Sequence, residues 1–274
     1  LRCGAHSPGK VTQMLIRRGL NRRHQNGYSV HLLWLSLRPL WNRHLLSNRY
    51  RVLPTDMLWL AIHFPRLPLE IFSITSSEPA VVLENNRVLL RNQAAQASGI
   101  TPGTTLATAH SITPGLRHKH RAPVAELKKL TTLADTLYRF SSYVSLQPPD
   151  CILLEIGASL KLFGSSTQLR EQVVALCHEL GHQVVVREAQ TPWAAIVLAR
   201  SRQQALAQVS LADAGLELAG IKADVVERFA NMGIYTLGPL LKMSAKSLGR
   251  RFGKPLLTYL AQLTGDLSDP RVAT

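Results

Sequence analysis

Met57-Leu58-Trp59-Leu60-Ala61-Ile62 is an unbroken apolar run with the length of a buried β-strand, and Pro65 and Pro68 end it before Leu69-Glu70-Ile71-Phe72. Outward from it, segments 80–83 and 87–90 read as two strands joined by the turn-forming Glu84-Asn85-Asn86. Two short helices are predicted next, one over 92–98 stopping at Gly99, the other over 104–110 after the Thr101-Pro102-Gly103 turn. A longer helix over 124–138 leads to strands at 144–146 and 151–156. A helix over 167–180 stops at Gly181, a strand follows at 183–187, and a helix over 192–200 opens on Pro192, a residue that suits a first helical turn. This alternation defines an α/β (α+β) region. Beyond about residue 205 strand signals vanish, and from Asp213 onward the chain reads as short helices with turns at Gly233, Gly238 and Gly253. A domain boundary is expected at 205–215.

A chain of 274 residues is long enough for two small domains. Hydrophobic residues make up 46% of it, yet no apolar run approaches the ~20 residues of a membrane-spanning helix, so no membrane partner is expected. Cys3, Cys151 and Cys177 lie far apart without a CxxC pair. That spacing argues against a disulfide framework or a zinc knuckle and fits a reducing, cytoplasmic setting. The net charge of +15 points to a polyanionic partner. It is unevenly spread: residues 1–56 carry ten Lys/Arg against the single acid Asp56, and residues 57–274 carry 22 against 16 acids. The leader mixes Arg17-Arg18 and Arg22-Arg23-His24 with Trp34 and Trp41, has no sustained period, and lacks both the apolar core and the cleavage site of a secretory signal. We expect 1–56 to be disordered or to be upstream sequence read through, with translation starting at Met57. A basic nucleic-acid arm is the other reading.

His178-Glu179-Leu180-Gly181-His182 satisfies the HExxH pattern of zinc proteases. That chemistry needs a helix continuing through both histidines, whereas Gly181 is a helix stop and a strand begins beyond it, so no metal is assigned here. Gly249-Arg250-Arg251-Phe252-Gly253-Lys254 resembles a phosphate loop only superficially, having one residue too few between its glycines and Pro255 where Ser or Thr belongs. Val225-Val226-Glu227-Arg228-Phe229 followed by Asn231-Met232-Gly233-Ile234-Tyr235-Thr236-Leu237-Gly238 reads as a helix, a glycine turn and a second helix starting near a Thr cap. Such a helix-hairpin-helix directs backbone N–H groups at a phosphate without reading sequence. Lys242, Lys246, Arg250, Arg251 and Lys254 add cations over one short stretch. With Gly233 and Thr236 they form the candidate DNA-binding set. A solvated basic helix face is the bland alternative.

In chain order, Met57 to Glu70, Arg91-Asn92-Gln93-Ala94-Ala95, Gly99-Ile100-Thr101-Pro102-Gly103, Pro114-Gly115-Leu116, Pro149-Asp150-Cys151-Ile152-Leu153-Leu154-Glu155-Ile156, Leu162-Phe163-Gly164, Gly233 to Gly238 and Arg251-Phe252-Gly253 resemble the Y-family (UmuC/DinB-like) DNA polymerases. The likeness is greatest to the catalytically degenerate ImuB-type branch, through Leu58-Trp59-Leu60-Ala61-Ile62-His63-Phe64-Pro65 and Leu67-Pro68-Leu69-Glu70. It covers nearly everything after Met57. It implies a ferredoxin-like palm with a small fingers subdomain over 57–210, with the strands starting at Leu58 and Cys151 adjacent in one sheet. An all-helical thumb with a helix-hairpin-helix is implied over 211–274. In the family a little finger and a clamp-binding tail come next, and the chain ends at Thr274 before them.

The departures from the family pattern bear on chemistry. Such polymerases hold two magnesium ions between three carboxylates and the triphosphate. The leading Asp maps to Ala61–His63, where no carboxylate is present, and the Asp-Glu pair becomes Asp150-Cys151. The triphosphate-gripping Tyr and Arg map to Gln93 and Gln96, and the palm lysine maps to about Pro192. Asp150 is then a remnant in a turn, Glu155 a packed or solvent-facing strand-end residue, and no catalytic residue or cofactor is assigned. The resemblance implies a non-catalytic homologue in the DNA-damage (SOS) response, acting in repair, mutagenesis and translesion synthesis, cytoplasmic and nucleoid-associated. Its implied partners are primer-template DNA, a separate error-prone polymerase with accessory mutagenesis proteins, and a sliding clamp through the missing tail. One alternative is an active translesion polymerase, which would need magnesium. Another is a generic nucleic-acid-binding adaptor sharing only the architecture.

Overall fold

The apolar run beginning at Met57 forms the strand β1 (Trp59–His63), and all five of its residues are buried. The computed structural model describes residues 57–74, 77–201 and 210–274. The expectations for the leader, including Trp34 and Trp41, and much of the expected boundary segment lie outside the described residues. After β1 come the short helix α1 (Leu67–Glu70), β2 (Ala80–Glu84), β3 (Arg87–Arg91), α2 (Gln93–Ala97), α3 (Leu106–Ile112) and β4 (Arg117–His120). Then follow α4 (Pro123–Leu137), β5 (Val144–Gln147), β6 (Cys151–Glu155), α5 (Leu160–Phe163), α6 (Ser166–Glu179), β7 (Val185–Ala189) and α7 (Pro192–Arg200). The helical remainder is α8 (Ala223–Ala230), α9 (Leu237–Leu241), α10 (Ala245–Phe252) and α11 (Lys254–Thr264), preceded by two 3₁₀ turns at Leu211–Asp213 and Leu216–Ala219. No described helix is long and apolar enough to cross a membrane.

A central antiparallel sheet has the order β5-β6-β1-β7. Helix α4 links β1 to β5 with β6 between them, and α6 links β6 to β7 with β1 between them. This split β-α-β arrangement is the strand order of a ferredoxin-like sheet. β1 and β6 are direct neighbours, with Ala61 opposite Leu153 and His63 opposite Cys151. The expected adjacency of these two strands is observed. Because side chains alternate along a strand, β1 feeds two cores. Leu60 and Ile62 pack with Ile152, Leu154 and the inner faces of α4 and α6. Trp59 and Ala61 pack with Cys151, Leu153 and the α7 residues Ala195, Ile196 and Ala199.

A second, three-stranded sheet of order β3-β2-β4 has its own core of Val81, Leu83, Val88, Ala95, Ile100, Ala109 and Leu116. Its hairpin turns at Asn85 and Asn86, both with positive φ (50° and 60°), as a two-residue loop matched to strand twist requires. Strand β4, missed in the sequence reading, is Arg117-His118-Lys119-His120 and fully exposed. It carries no apolar alternation to reveal it and pairs parallel to β2 only through its backbone. Arg121 joins this sheet to α4. Its guanidinium donates to both oxygens of the buried Glu126 and to Glu84 Oε1 at 2.7 Å.

The helical unit closes on Phe229, Leu237, Leu240, Leu248, Leu256, Leu260 and Leu263. Gly238, read from the sequence as a turn, lies inside α9 instead. A Cβ there would meet Ala212 O at 3.0 Å, so the glycine permits close packing rather than a reversal. Gly233 does reverse the chain, at φ +73°.

Candidate functional site

Where β1 and β6 end side by side, His63, Asp150 and Cys151 meet Arg200 from the last turn of α7. Asp150 follows the Pro148-Pro149 turn, and its carbonyl accepts from Phe64 N at 2.8 Å. Its carboxylate is fully engaged: Arg200 Nη2 donates to Oδ1 at 2.7 Å, and His63 Nε2 lies 3.3 Å from Oδ2. His63 Nδ1 is 3.2 Å from Ala199 O. A carbonyl only accepts, so in this contact Nδ1 is the donor, and Nε2 is the ring nitrogen turned toward Asp150. Burial alone would raise the Asp150 carboxyl, but His63 and Arg200 outweigh it and hold the group down to about 2. The same burial pushes the Cys151 thiol far above its ordinary range, reinforced by the Asp150 charge. Arg200, despite its burial, is pushed further toward the charged form by Cys151 and Asp150. No local pattern marked Arg200; only the fold brings it across 50 residues to Asp150.

Asp150 therefore remains a turn residue, as expected, but one bound in an internal ion pair. Ala61, within the span Ala61–His63 to which the resemblance maps the leading Asp, is completely buried beneath α7. Glu155 accepts from Gly157 N at 2.9 Å and Leu58 N at 3.4 Å, securing the far end of the two strands. Gln93 and Gln96 sit exposed on α2, and Pro192 is buried in the first turn of α7. A cleft of about 320 Å³ between the two sheets is lined by His63, Pro65, Leu90, Arg121, Glu126 and Asp150, and by neither glutamine.

This donor set does not fit a pair of divalent cations. Two hard cations need several oxygen ligands. Ala61 offers none, Cys151 offers a buried thiol, and both Asp150 oxygens are already engaged, Oδ1 by the Arg200 guanidinium and Oδ2 by the His63 ring. Among the described residues no group of three or more His, Cys, Asp or Glu is arranged to hold a metal ion. The HExxH histidines separate as the helix-stop argument predicts. His178 lies in the last turn of α6, Gly181 turns the chain at φ +83°, and His182 is buried with Nδ1 2.7 Å from Glu70 Oε2.

In the helical unit, Lys242 caps the end of α9, Lys246, Arg250 and Arg251 lie on α10, and Lys254 opens α11; all five are exposed. Thr236 has the extended backbone of an N-cap, but its side chain makes no capping bond. Helix α9 is only five residues long, and the Leu237 N–H is already taken by Ala214 O at 2.9 Å. The anchor expected at this helix start is weaker than the sequence implies. Arg228 lies 4.5 Å over the Phe252 ring, which stacks on Phe229 with centroids 4.2 Å apart, tying α8 to α10.

The fold is that of the Y-family DNA polymerases. DinB from Sulfolobus solfataricus superposes with a TM-score of 0.60 at 17% identity, over 79% of this chain and 70% of that one. An insertion ternary complex of Dbh DNA polymerase gives 0.61 at 17% identity, over 78% and 69%. Among curated proteins, the chain is similar to Protein ImuB of Caulobacter vibrioides (strain NA1000 / CB15N), 28% identical over 181 residues, which is 62% of this chain and 39% of that protein. Protein ImuB of a second Caulobacter vibrioides strain (ATCC 19089 / CIP 103742 / CB 15) gives the same figures. The matched part spans about two-fifths of these curated relatives' length. No protein-family model matches the chain.

Proposed function

We propose that this chain is a non-catalytic homologue of the Y-family polymerases, a DNA-binding partner of a separate error-prone polymerase in damage-induced mutagenesis and translesion synthesis. In this reading the four-stranded sheet with α4, α6 and α7 is the palm, the three-stranded sheet with α2 and α3 is the fingers, and the helices from 211 onward are the thumb with its helix-hairpin-helix. The observation that carries it is the Asp150–Arg200–His63 cluster. The one acid remaining at the family's metal positions is neutralised by side chains of the chain itself. A guanidinium fixed beside this carboxylate repels an incoming divalent cation and cannot supply the ligands such a cation needs. The reading therefore assigns no cofactor and no catalytic residue.

DNA engagement is assigned to Gly233, Thr236, Lys242, Lys246, Arg250, Arg251 and Lys254, through phosphate contacts that carry no sequence preference. The solved Dbh relative captured as an insertion ternary complex supports a nucleic-acid partner for this fold. The test is primer extension with purified protein, primed template, four deoxynucleotides and magnesium or manganese. No extension is expected with either ion, while the same preparation retains primer-template in a binding assay. Extension that disappears in Asp150→Ala would falsify the non-catalytic reading and promote an active polymerase.

A further inference from the structure

The turn that carries Gly233 also presents an aromatic ring that the fold does not use. Tyr235 is 64% exposed, and its hydroxyl has no partner among the described residues. A singly exposed aromatic on a loose loop would be unremarkable. This one is held. Tyr235 O accepts from Leu216 N at 3.0 Å, Ile234 N donates to Phe229 O at 2.9 Å, and Leu237 N donates to Ala214 O at 2.9 Å. Thr236 pairs with Gly215 as an isolated bridge. Its backbone is thus fixed on both sides, so the backbone part of the ordering cost of offering the ring to a ligand has already been met in folding.

Its surroundings state what the ligand is. Met232, 39% exposed on the same turn, has its sulfur 3.5 Å from Arg251 Nη1, and Arg228 Nη2 donates to Arg251 O at 2.8 Å. Between Lys222 and Lys254 the chain carries seven Lys/Arg against Asp224 and Glu227 alone. An exposed aromatic ring on a backbone-held turn, in a stretch this rich in cations, is the pairing that binds single-stranded nucleic acid: cations follow the phosphates while bases stack on the ring.

We propose that Tyr235 is a stacking platform for an unpaired nucleobase, so that this surface takes the single-stranded part of a primer-template in preference to continuous duplex. The proposal rests on the DNA-binding reading above and adds its substrate class. The experiment compares full-length protein, Tyr235→Ala and Tyr235→Phe on a duplex with a twelve-nucleotide overhang and on a blunt duplex of equal charge. Wild type should bind the overhang DNA more tightly. Tyr235→Ala should lose about 5- to 150-fold of that affinity with the blunt-duplex affinity and salt slope unchanged, and Tyr235→Phe should retain it. Equal affinity of wild type for both DNAs, or equal weakening of both by Tyr235→Ala, overturns the platform while leaving DNA binding intact. Failure of wild type to bind either DNA removes both readings. Since the ring is exposed, unchanged thermal melting of Tyr235→Ala separates a binding loss from a folding loss.

Discussion

Arg200 Nη2 sits 2.7 Å from Asp150 Oδ1, and both side chains are largely shielded from solvent. The pair ties the end of α7 to the turn before β6, while His63 on β1 occupies the second carboxylate oxygen. Three elements of the central sheet layer are joined at one carboxylate. Arg200→Ala leaves that carboxylate without its main counter-charge and should destabilise the protein by about 2–3 kcal/mol. Asp150→Asn combined with Arg200→Met removes both charges and should recover more than half of the loss. Urea unfolding of the wild type and the two variants measures this; a double variant no more stable than Arg200→Ala would show that the pair does not act as a unit.

Acid should expose the same cluster. In the unfolded chain an aspartate titrates near 3.9, and in the folded protein Asp150 is held at about 2. A depressed folded value stabilises where the carboxyl is ionised in both states, so its contribution is full above about pH 5 and disappears as pH falls through 2. By linkage that contribution is about 2–3 kcal/mol. Stability curves of wild type and Asp150→Asn should therefore draw together as pH falls from about 5 through 2, meeting near pH 1. Parallel curves throughout that window would mean that the folded carboxyl is not held down.

The exposed cations should govern salt dependence. Lys242, Lys246, Arg250 and Arg251 are free of ion pairs among the described residues, so replacing all four with Gln should leave thermal stability unchanged within about 0.5 kcal/mol. For duplex DNA each phosphate contact contributes about 0.9 to the slope of log K against log salt, so losing four contacts should flatten it by up to about 3.6. An unchanged slope would put the DNA-binding surface elsewhere on the molecule.

Much of this architecture was legible because local chemistry and tertiary role coincide. The apolar run at β1, the Asn85-Asn86 turn, the Gly99 and Gly181 stops and Pro192 each have a single local solution, and the fold uses it. β4 was not legible, since Arg117-His118-Lys119-His120 pairs through its backbone and buries nothing. Gly238 was misread because a glycine required for close approach looks the same in sequence as one required for a turn. At the site, the lack of a carboxylate over Ala61–His63 and the Asp150-Cys151 pair are read from the residues themselves. Arg200 could not, because it becomes Asp150's partner only after α7 packs on the sheet. The weakness of the Thr236 cap, by contrast, has a local cause that the sequence does carry: the residue three positions on is Pro239, which has no N–H for the Thr side chain to accept from.

The two structural thiols should be inert while the chain is folded. Cys151 and Cys177 are free and buried, and burial together with Glu70 pushes Cys177 up to about 12. The thiolate is the reactive form, so neither should be alkylated at neutral pH. Iodoacetamide labelling followed by peptide mass spectrometry should find both modified only after denaturant is added. Rapid labelling of Cys151 under native conditions would mean that β6 opens at its Asp150 end.

The last expectation concerns rebuilding a polymerase site, and it turns on Arg187. Ala61 faces Arg187 directly across the β1–β7 ladder, so their side chains share one face of the sheet. Arg187 is half-buried, burial and the nearby Arg170 shift its pKa down, and no carboxylate pairs with it among the described residues. An aspartate introduced at position 61 therefore meets a waiting cation on one side and Ala195 and Ala199 of α7 on the other. It would be drawn into an ion pair, as Asp150 is by Arg200, rather than left open to a metal. Ala61→Asp with Cys151→Glu restores the family's acids in number only: Arg200 still holds Asp150, and position 151 is fully enclosed. The double variant should lose at least about 2 kcal/mol of stability, extend no primer with magnesium or manganese, and show no metal-dependent rise in Tm. Adding Arg187→Ala should destabilise it further, since the new carboxylate loses its counter-charge. A metal-dependent rise in Tm in the double variant would mean that the missing acids alone separate this site from a metal-binding one.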